Sequence, residues 1–376
     1  MNKLKMLLIS PMTKQKKPAL PIGSTIGILG GGQLGRMLAI AAANLGMKTH
    51  IFCPDPNSPA FEVAGCKTVA DYTDYASLET FANSVDIVTY EFENVPVETA
   101  KNIMQFVPLA PNEKALSISQ DRLLEKQFLK SLGVKISEFE PVRSLSDLHS
   151  ALSIIGTPAV LKTTRLGYDG KGQRIIKSPN DAEQAYTDLA GVELVLEAFI
   201  PFEMEISIII ARNEQGKTAI FDPAQNVHKN HILHTSTVPA NISLQTEADA
   251  KNIASLIAQA LNYTGILAIE FFVVGTGDQQ YLLVNEIAPR VHNSGHWTQD
   301  VCPSDQFDQH IRAICNWPLG DTSRLADVTM TNLIGDDIFS FQGKLLPNEF
   351  PHLYGKSQSR LGRKMGHINT IISPKE

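Results

Sequence analysis

Read for its apolar and polar positions, the chain separates into short strands and amphipathic helices. Thr25-Ile-Gly-Ile-Leu29 is an apolar run of strand type, and Gly30-Gly-Gly-Gln-Leu-Gly35 follows it. Met37, Leu38, Ile40 and Ala41 recur at helical spacing, Gly46 closes that helix, and residues 48–52 form the next strand. A strand, a glycine turn, a helix and a strand predict a parallel α/β sheet, continued by 68–70 and 85–90. A further helix is expected from Ser117, with Ser117 and Gln120 as a capping box and Gly133 as the stop. Past Pro141 the order becomes helix (146–155), strand (159–163), glycine loop, strand (174–177), helix (from 179, ended by Gly191) and strand (193–197). That block predicts a compact α+β subdomain. Strands follow at 203–211 and 217–222, then an amphipathic helix at 246–261. Residues 266–274 and 280–287 flank Gly275-Thr-Gly-Asp278 as a hairpin. Short strands at 328–334, 352–354 and 368–372 predict a small closing β unit.

The length, 376 residues, predicts two or three domains. Residues 1–20, with their lysines and two prolines, are expected to be a disordered extension; Met6–Ile9 is too short for a secretory core segment. With 43% hydrophobic and 19% charged residues, the chain is of globular type. Its 33 Lys+Arg against 39 Asp+Glu argue against a dedicated nucleic-acid binder. No apolar run approaches the ~20 residues of a membrane helix. Cys53, Cys66, Cys302 and Cys315 lack CxxC spacing, which predicts a reducing compartment and no zinc knuckle.

Gly30-x-Gly32-x-x-Gly35, with Asp55 twenty residues beyond Gly35, satisfies a dinucleotide fingerprint. An NAD-dependent dehydrogenase is therefore one reading. Asp55 stands between two prolines, however, and the motif specifies only a phosphate near a helix N-terminus.

Three downstream clusters point instead to ATP. Leu161-Lys162 ends a strand, and Gly167, Gly170 and Gly172 make a pliable loop around Lys171. A strand and not a Lys-Ser/Thr helix follows, so the loop is suited to be a lid over a triphosphate. Glu197 and the backbone of Ala198, Phe199 and Ile200 are suited to clamp an adenine edge, and Glu205 to take ribose hydroxyls. Glu270 and Glu286 lie on apolar hairpin strands. If the hairpin is centred near Asp278 they face each other; a one-residue slip separates them. Paired carboxylates on such strands repel and resist desolvation, and a divalent cation such as Mg²⁺ relieves both costs.

The order of these parts resembles an ATP-grasp ligase. More narrowly, Gly-Gly-Gly-Gln-Leu-Gly-Arg-Met-Leu-Ala (30–39), Tyr-Glu-Phe-Glu-Asn-Val (90–95), Gln-Asp-Arg (120–122) and Gly-Tyr-Asp-Gly-Lys-Gly-Gln (167–173) resemble one family. So do Asn-Glu-Ile-Ala-Pro-Arg-Val-His-Asn-Ser-Gly-His-Trp-Thr (285–298) and Gly-Arg-Lys-Met-Gly-His (362–367). The family is 5-(carboxyamino)imidazole ribonucleotide synthetase, the ATPase-subunit type of phosphoribosylaminoimidazole carboxylase. Ala288 departs from the Asn of many ATP-grasp sites, with Asn285 before Glu286 instead, and Leu166 replaces a common lid glycine.

The resemblance implies an α/β and α+β architecture: an ATP-grasp fold with an N-terminal Rossmann-like (pre-ATP-grasp) domain and a small C-terminal β-rich domain. The expected boundaries are 21–118, 119–316 with a lid subdomain at about 141–200, and 317–376. The implied reaction is ATP- and bicarbonate-dependent carboxylation of the amine of 5-aminoimidazole ribonucleotide through carboxyphosphate, in purine biosynthesis. By position, Arg122, Lys162, Lys171, Gly167, Gly170, Gly172 and Gln173 would hold ATP, with Glu197, Ala198, Phe199 and Ile200 at adenine, Glu205 and His228 near the ribose, and Asn285 beside Glu286. Glu270 and Glu286 would bind Mg²⁺. Gln33, Leu34, Glu93, Arg290, His292, Asn293, Lys356 and Arg363 would meet the ribonucleotide, bicarbonate or product, with Arg290 and Lys356 also candidates for catalysis. Tyr168 and Asp169 would close over both substrates, Asp169 as orienting group or base. A cytoplasmic homodimer that hands its product to a carboxyaminoimidazole ribonucleotide mutase is implied as well. Formate-dependent glycinamide ribonucleotide transformylation is the alternative within the superfamily. His228, His231 and His234 read as loop residues and not a metal helix; His50, His149 and His310 read as ordinary surface or packing residues, and the two tryptophans Trp297 and Trp317 as core.

Overall fold

The computed structural model describes residues 18–167, 170–189, 191–340 and 344–374. Strand β1 (Thr25–Leu29), helix α1 (Gln33–Asn44), β2 (Lys48–Phe52), β3 (Cys66–Thr68), α2 (Tyr75–Ala82), β4 (Ile87–Tyr90) and α3 (Val97–Ile103) build the first unit. Its strands pair in parallel in the order β3-β2-β1-β4. Ile26, Ile28 and Leu29 are fully buried, as expected of a parallel strand covered on both faces.

Two helices, α4 (Glu113–Ser119) and α5 (Arg122–Ser131), lead out of this unit. Ser117 is not a cap: its hydroxyl bonds back to Lys114 O inside α4. The caps are Asn112, which accepts from Ala115 N, and Asp121, which accepts from Leu123 N and Leu124 N. Both place a short acceptor on extended backbone just before the helix, the geometry that satisfies orphan amides. Asp121 thereby starts α5 at Arg122 and turns Glu125 and Lys126 inward.

Strands β5 (Phe139–Val142), β6 (Ala159–Thr163), β7 (Gln173–Ile176) and β8 (Leu194–Ala198), with helices α6 (Leu145–Ile155) and α7 (Ala182–Leu189), form a small antiparallel sheet in the order β5-β8-β6-β7. Period-two alternation divides its faces. Ala159, Leu161 and Leu196 pack on the helices, while Val160, Lys162 and Glu197 line a cavity.

The central sheet comprises β9 (Met204–Arg212), β10 (Thr218–Ile220), β11 (Ala224–Lys229), β12 (Ile232–Val238), β13 (Gly265–Val274), β14 (Tyr281–Ala288), β15 (Ala326–Ile334), β16 (Glu349–Leu353) and β17 (Lys364–Pro374). Its order is β14-β13-β9-β11-β12-β15-β17-β16, with β10 on β9. Helix α8 (Leu244–Ala260) packs on Ile206, Ile208 and Ile210, whereas α9 (Thr298–Val301) and α10 (Gln306–Ile314) share a core with Ile209 and Ala211. The C-terminal strands join the central sheet edge-on through the β12–β15 pairing.

Two further sequence expectations change. Residues 228–234 are not a loop but a hairpin, β11 and β12 joined at Asn230-His231, both at positive φ (52° and 64°). That is the two-residue turn whose twist matches the strands, carried here without glycine. At the N-terminus, Leu20 is anchored: its amide donates to Cys315 O at 3.0 Å and its carbonyl accepts from Trp317 Nε1 at 2.8 Å. The described chain thus begins before residue 21; residues 1–17 lie outside those described.

Candidate active site

A cavity of about 990 Å³ opens between the small sheet and the central sheet. The β6–β7 loop borders it, bringing Gly167, Gly170 and Lys171, and Gln173 follows at the start of β7. Gly170 and Gly172 take φ of +76° and +70°, and a Cβ on Gly170 would stand 2.5 Å from the His231 ring. Leu166 is also left-handed (φ 60°) and largely exposed. Tyr168 and Asp169 lie outside the described residues.

At the cavity wall Glu270 of β13 pairs directly with Glu286 of β14. Burial, then the charge of Glu286, pushes the Glu270 carboxyl up to about 8. Arg122 Nη1 reaches Glu286 Oε2 at 3.3 Å, and its Nη2 donates to Gly167 O at 2.9 Å. One guanidinium thus ties the carboxylate pair to the glycine loop. Among the described residues no three His, Cys, Asp or Glu side chains form a cage for a metal. A two-carboxylate site left to be completed by nucleotide phosphates and water suits Mg²⁺.

Glu197 is held from two sides. Lys126 Nζ and Lys162 Nζ each lie 3.0 Å from its Oε2, and Ser137 Oγ donates to the same oxygen at 3.2 Å. Burial opposes ionisation, but the two ammonium groups hold the carboxyl down at about 2. Its Oε1 is buried with no partner among the described residues. The neighbouring amides are not free as the sequence suggests: Ala198 N donates to Glu138 O and Phe199 N to Pro158 O. Lys126 escaped the sequence reading because no motif marks it; only its place four residues after Arg122, on the buried face of α5, signals it.

On the central sheet Glu205 Oε2 and His228 Nδ1 lie 2.7 Å apart. Despite burial, this partner raises the His228 pKa. His292 Nδ1 accepts from Ser294 N and pairs with Ser294 Oγ at 2.8 Å, which leaves Nε2 facing Glu270 Oε1 at 3.5 Å. Arg290 is ion-paired with Glu93. Asn293, Asn285, Ala198, Phe199, Ile200 and Lys364 also line the cavity. Lys364, the neighbour of Arg363, was missed by the sequence reading.

The first glycine turn is a different environment. The Glu91 carboxylate accepts from Gly32 N at 2.5 Å and Gly35 N at 2.7 Å. A side chain of this protein therefore occupies amides that a dinucleotide pyrophosphate would need. Among the described residues the Asp55 carboxylate accepts from Asn57 N, in an exposed turn. Both observations remove the physical basis of the dehydrogenase reading. Gln33, Leu34, Lys356 and Arg363 do not line the main cavity, nor does Gly172. Lys356 donates to Lys364 O and Arg363 to Gln358 O. Burial, then Arg363, lowers the Lys356 ammonium to about 8. Both Arg290 and Lys356 act electrostatically on Glu91, which places them by the first turn, and Arg363 acts in turn on Lys356.

Family models match along the chain: a ribonucleotide synthetase preATP-grasp domain at residues 23–120, an ATP-grasp domain at 127–307 and a phosphoribosylaminoimidazole carboxylase C-terminal domain at 328–376. The N5-carboxyaminoimidazole ribonucleotide synthase of Brucella melitensis is 48% identical over 94% of this chain and 98% of its own length. The chain belongs to the N5-carboxyaminoimidazole ribonucleotide synthase family. A crystal structure of an ADP complex of an N5-carboxyaminoimidazole ribonucleotide synthetase superposes with a TM-score of 0.91, at 41% identity over 94% of each chain. The Aspergillus clavatus synthase, solved with ADP and 5-aminoimidazole ribonucleotide, gives 0.87 at 27% identity over 94% of each chain. The architecture expected from the sequence, pre-ATP-grasp, ATP-grasp and C-terminal domains, is that of the family.

Proposed function

We infer that this chain is an ATP-dependent carbon–nitrogen ligase that carboxylates the amine of 5-aminoimidazole ribonucleotide in purine biosynthesis, forming ADP and phosphate from ATP and bicarbonate. The observation that carries the chemistry is the Glu270–Glu286 pair, set against Arg122 at the mouth of a glycine-rich loop. Bicarbonate is a poor electrophile; transfer of the γ-phosphoryl gives carboxyphosphate, whose phosphate leaves when the amine attacks the carbonyl carbon or the CO₂ it releases. The protein's tasks are positioning, charge neutralisation and exclusion of water.

Glu197, kept ionised by its lysines, presents Oε1 to accept from the exocyclic amine of adenine. Glu205 and His228 take the ribose, and Arg122, Lys162 and Lys171 the phosphates. Glu270 and Glu286 would hold Mg²⁺, which when bound neutralises and orients those phosphates. Their mutual repulsion, relieved by a cation, is the fit that supports this choice. Arg290, His292 and Asn293 face the bicarbonate and the nascent carboxylate. Gln33 and Leu34, at the first glycine turn, meet the ribonucleotide beside the amides that Glu91 takes, and Lys356 and Arg363 are candidates for its phosphate. Asp169 orients the amine or takes its proton; Asp169→Asn should lower turnover by ~10²–10⁴ with nucleotide binding kept. The domain boundaries at 118, 316 and the lid, the homodimer, the cytoplasmic location and hand-over to a mutase are carried forward from the resemblance.

The test is ADP release measured with and without 5-aminoimidazole ribonucleotide and bicarbonate. Full release needing both substrates supports the reading. Turnover with formate and glycinamide ribonucleotide instead would replace it.

A further inference from the structure

Glu125 lines the cavity but has no part in the mechanism above. It is 3% exposed, sits one turn after Arg122 on α5, and its Oε1 accepts from Ile287 N at 2.6 Å. That amide belongs to the outermost strand of the central sheet, β14, at a point where the ladder is irregular. From the turn, Phe271 pairs with Val284; the next pair is Glu270 with Glu286. Asn285 is therefore an extra residue, a bulge. Continued without it, the turn-side register would put Asn285 opposite Glu270 and send the Glu286 side chain to the other face. The bulge alone brings the two carboxylates together.

An edge strand has no neighbour to hold such an irregularity. Here the amides on either side of it are tied down from outside the sheet: Val284 N donates to Lys135 O at 2.9 Å, and Ile287 N to Glu125. Arg122, on the same helix, holds the Glu286 side chain.

We propose that Glu125 is a positioning residue for the cation pair: its acceptor fixes the backbone after the Asn285 bulge and so keeps Glu286 opposite Glu270. This rests on the Mg²⁺ reading of that pair. The work is done by the reach of the oxygen, so the acidic group and its reach can be separated. Glu125→Gln keeps an oxygen at full length and drops the ionisable group. Glu125→Asp keeps the carboxyl and withdraws its oxygen by one carbon.

Mn²⁺ binding to the full chain in the presence of ADP, followed by electron paramagnetic resonance, reads the site without turnover. Glu125→Asp should weaken Mn²⁺ by about 10–100-fold, the usual cost of losing a group that orients a metal ligand. Glu125→Gln should bind Mn²⁺ like the unaltered protein, and metal-free ADP binding and melting temperature should be alike in both variants. Equal Mn²⁺ affinity in Glu125→Asp and the unaltered protein overturns the proposal, as does a Gln variant worse than the Asp variant. An Asp variant that also loses metal-free ADP binding makes Glu125 a general structural group and overturns it too. If the unaltered chain and Glu270→Gln bind Mn²⁺ equally, the cation reading itself has failed.

Discussion

Two buried carboxylates, Glu91 in the first glycine turn and Glu197 in the cavity that the second glycine loop borders, are treated by the protein in opposite ways. Glu91 is 8% exposed and meets the amides of Gly32 and Gly35; Glu197 is 3% exposed and meets the ammonium groups of Lys126 and Lys162. Burial raises the Glu91 pKa, and the amides offset only part of that. For Glu197 the two cations overcome burial and hold the carboxyl at about 2. Peptide dipoles at a helix start carry about half a charge, two ammonium groups a full charge each, and the difference decides the sign. Glu91 spends both oxygens and closes its glycine turn. Glu197 has its bonds on one oxygen, and the other has no partner among the described residues. Similar glycine patterns thus mark one seat filled from within and one loop that borders an open cavity.

Glu270 has neither form of compensation in full, which sets the largest effect. Glu270→Gln or Glu286→Gln should abolish ADP release while leaving the fold intact, because removing one of two repelling carboxylates does not weaken the hairpin. Thermal melting and ADP release on the same samples test this; folded variants with normal release would remove the pair from the mechanism.

Next is Lys126→Met. It leaves Glu197 with one ammonium, and breaking a buried ion pair costs about 3–5 kcal/mol. Urea unfolding measures it, and a loss below 1 kcal/mol would show that Lys162 alone holds the charge.

The acid branch of stability then separates the two carboxylates. Glu197 has a depressed folded pKa, so its contribution, on the order of 3 kcal/mol, is present above about 4.5 and lost as pH falls toward about 2. Glu91 has a raised one, so any contribution is present at low pH and lost as pH rises through its folded value. Glu197→Gln should flatten the acid branch of urea-derived stability and Glu91→Gln should not. A flattening in both would mean that the lysines do not set the difference.

How much of this was legible in sequence follows from range. The strands around β6 and the hairpin of β13 and β14 were readable because apolar runs and glycine turns are local signals. The facing of Glu270 and Glu286 was readable only as a condition, since the Asn285 bulge that satisfies it is fixed by Glu125 and Lys135. Lys126 against Glu197 and Glu91 in the glycine turn join residues dozens of positions apart, and no spacing rule reports them. Ser117 misled because a capping pattern competes with true caps nearby, and Asn112 and Asp121 took those places.

The smallest effect is Glu91→Gln, and it bears on the comparison most directly. The carboxylate offers an oxygen to each of two amides. Glutamine keeps one oxygen and turns an NH₂ donor toward the other amide. One buried N–H is orphaned, which costs about 1–3 kcal/mol, and less if the Glu91 carboxyl carries its proton at the pH of measurement. Substitution at Gly32 offers no escape, since a Cβ there would stand 2.6 Å from Glu91 Oε1. The loss should appear in urea unfolding and in the KM for the ribonucleotide, which we place at this turn. ADP affinity should be unchanged, because we place the nucleotide at Glu197, away from this turn. A Glu91→Gln variant that weakens ADP as much as the ribonucleotide would show that the two seats are one site, and the contrast between them would no longer hold.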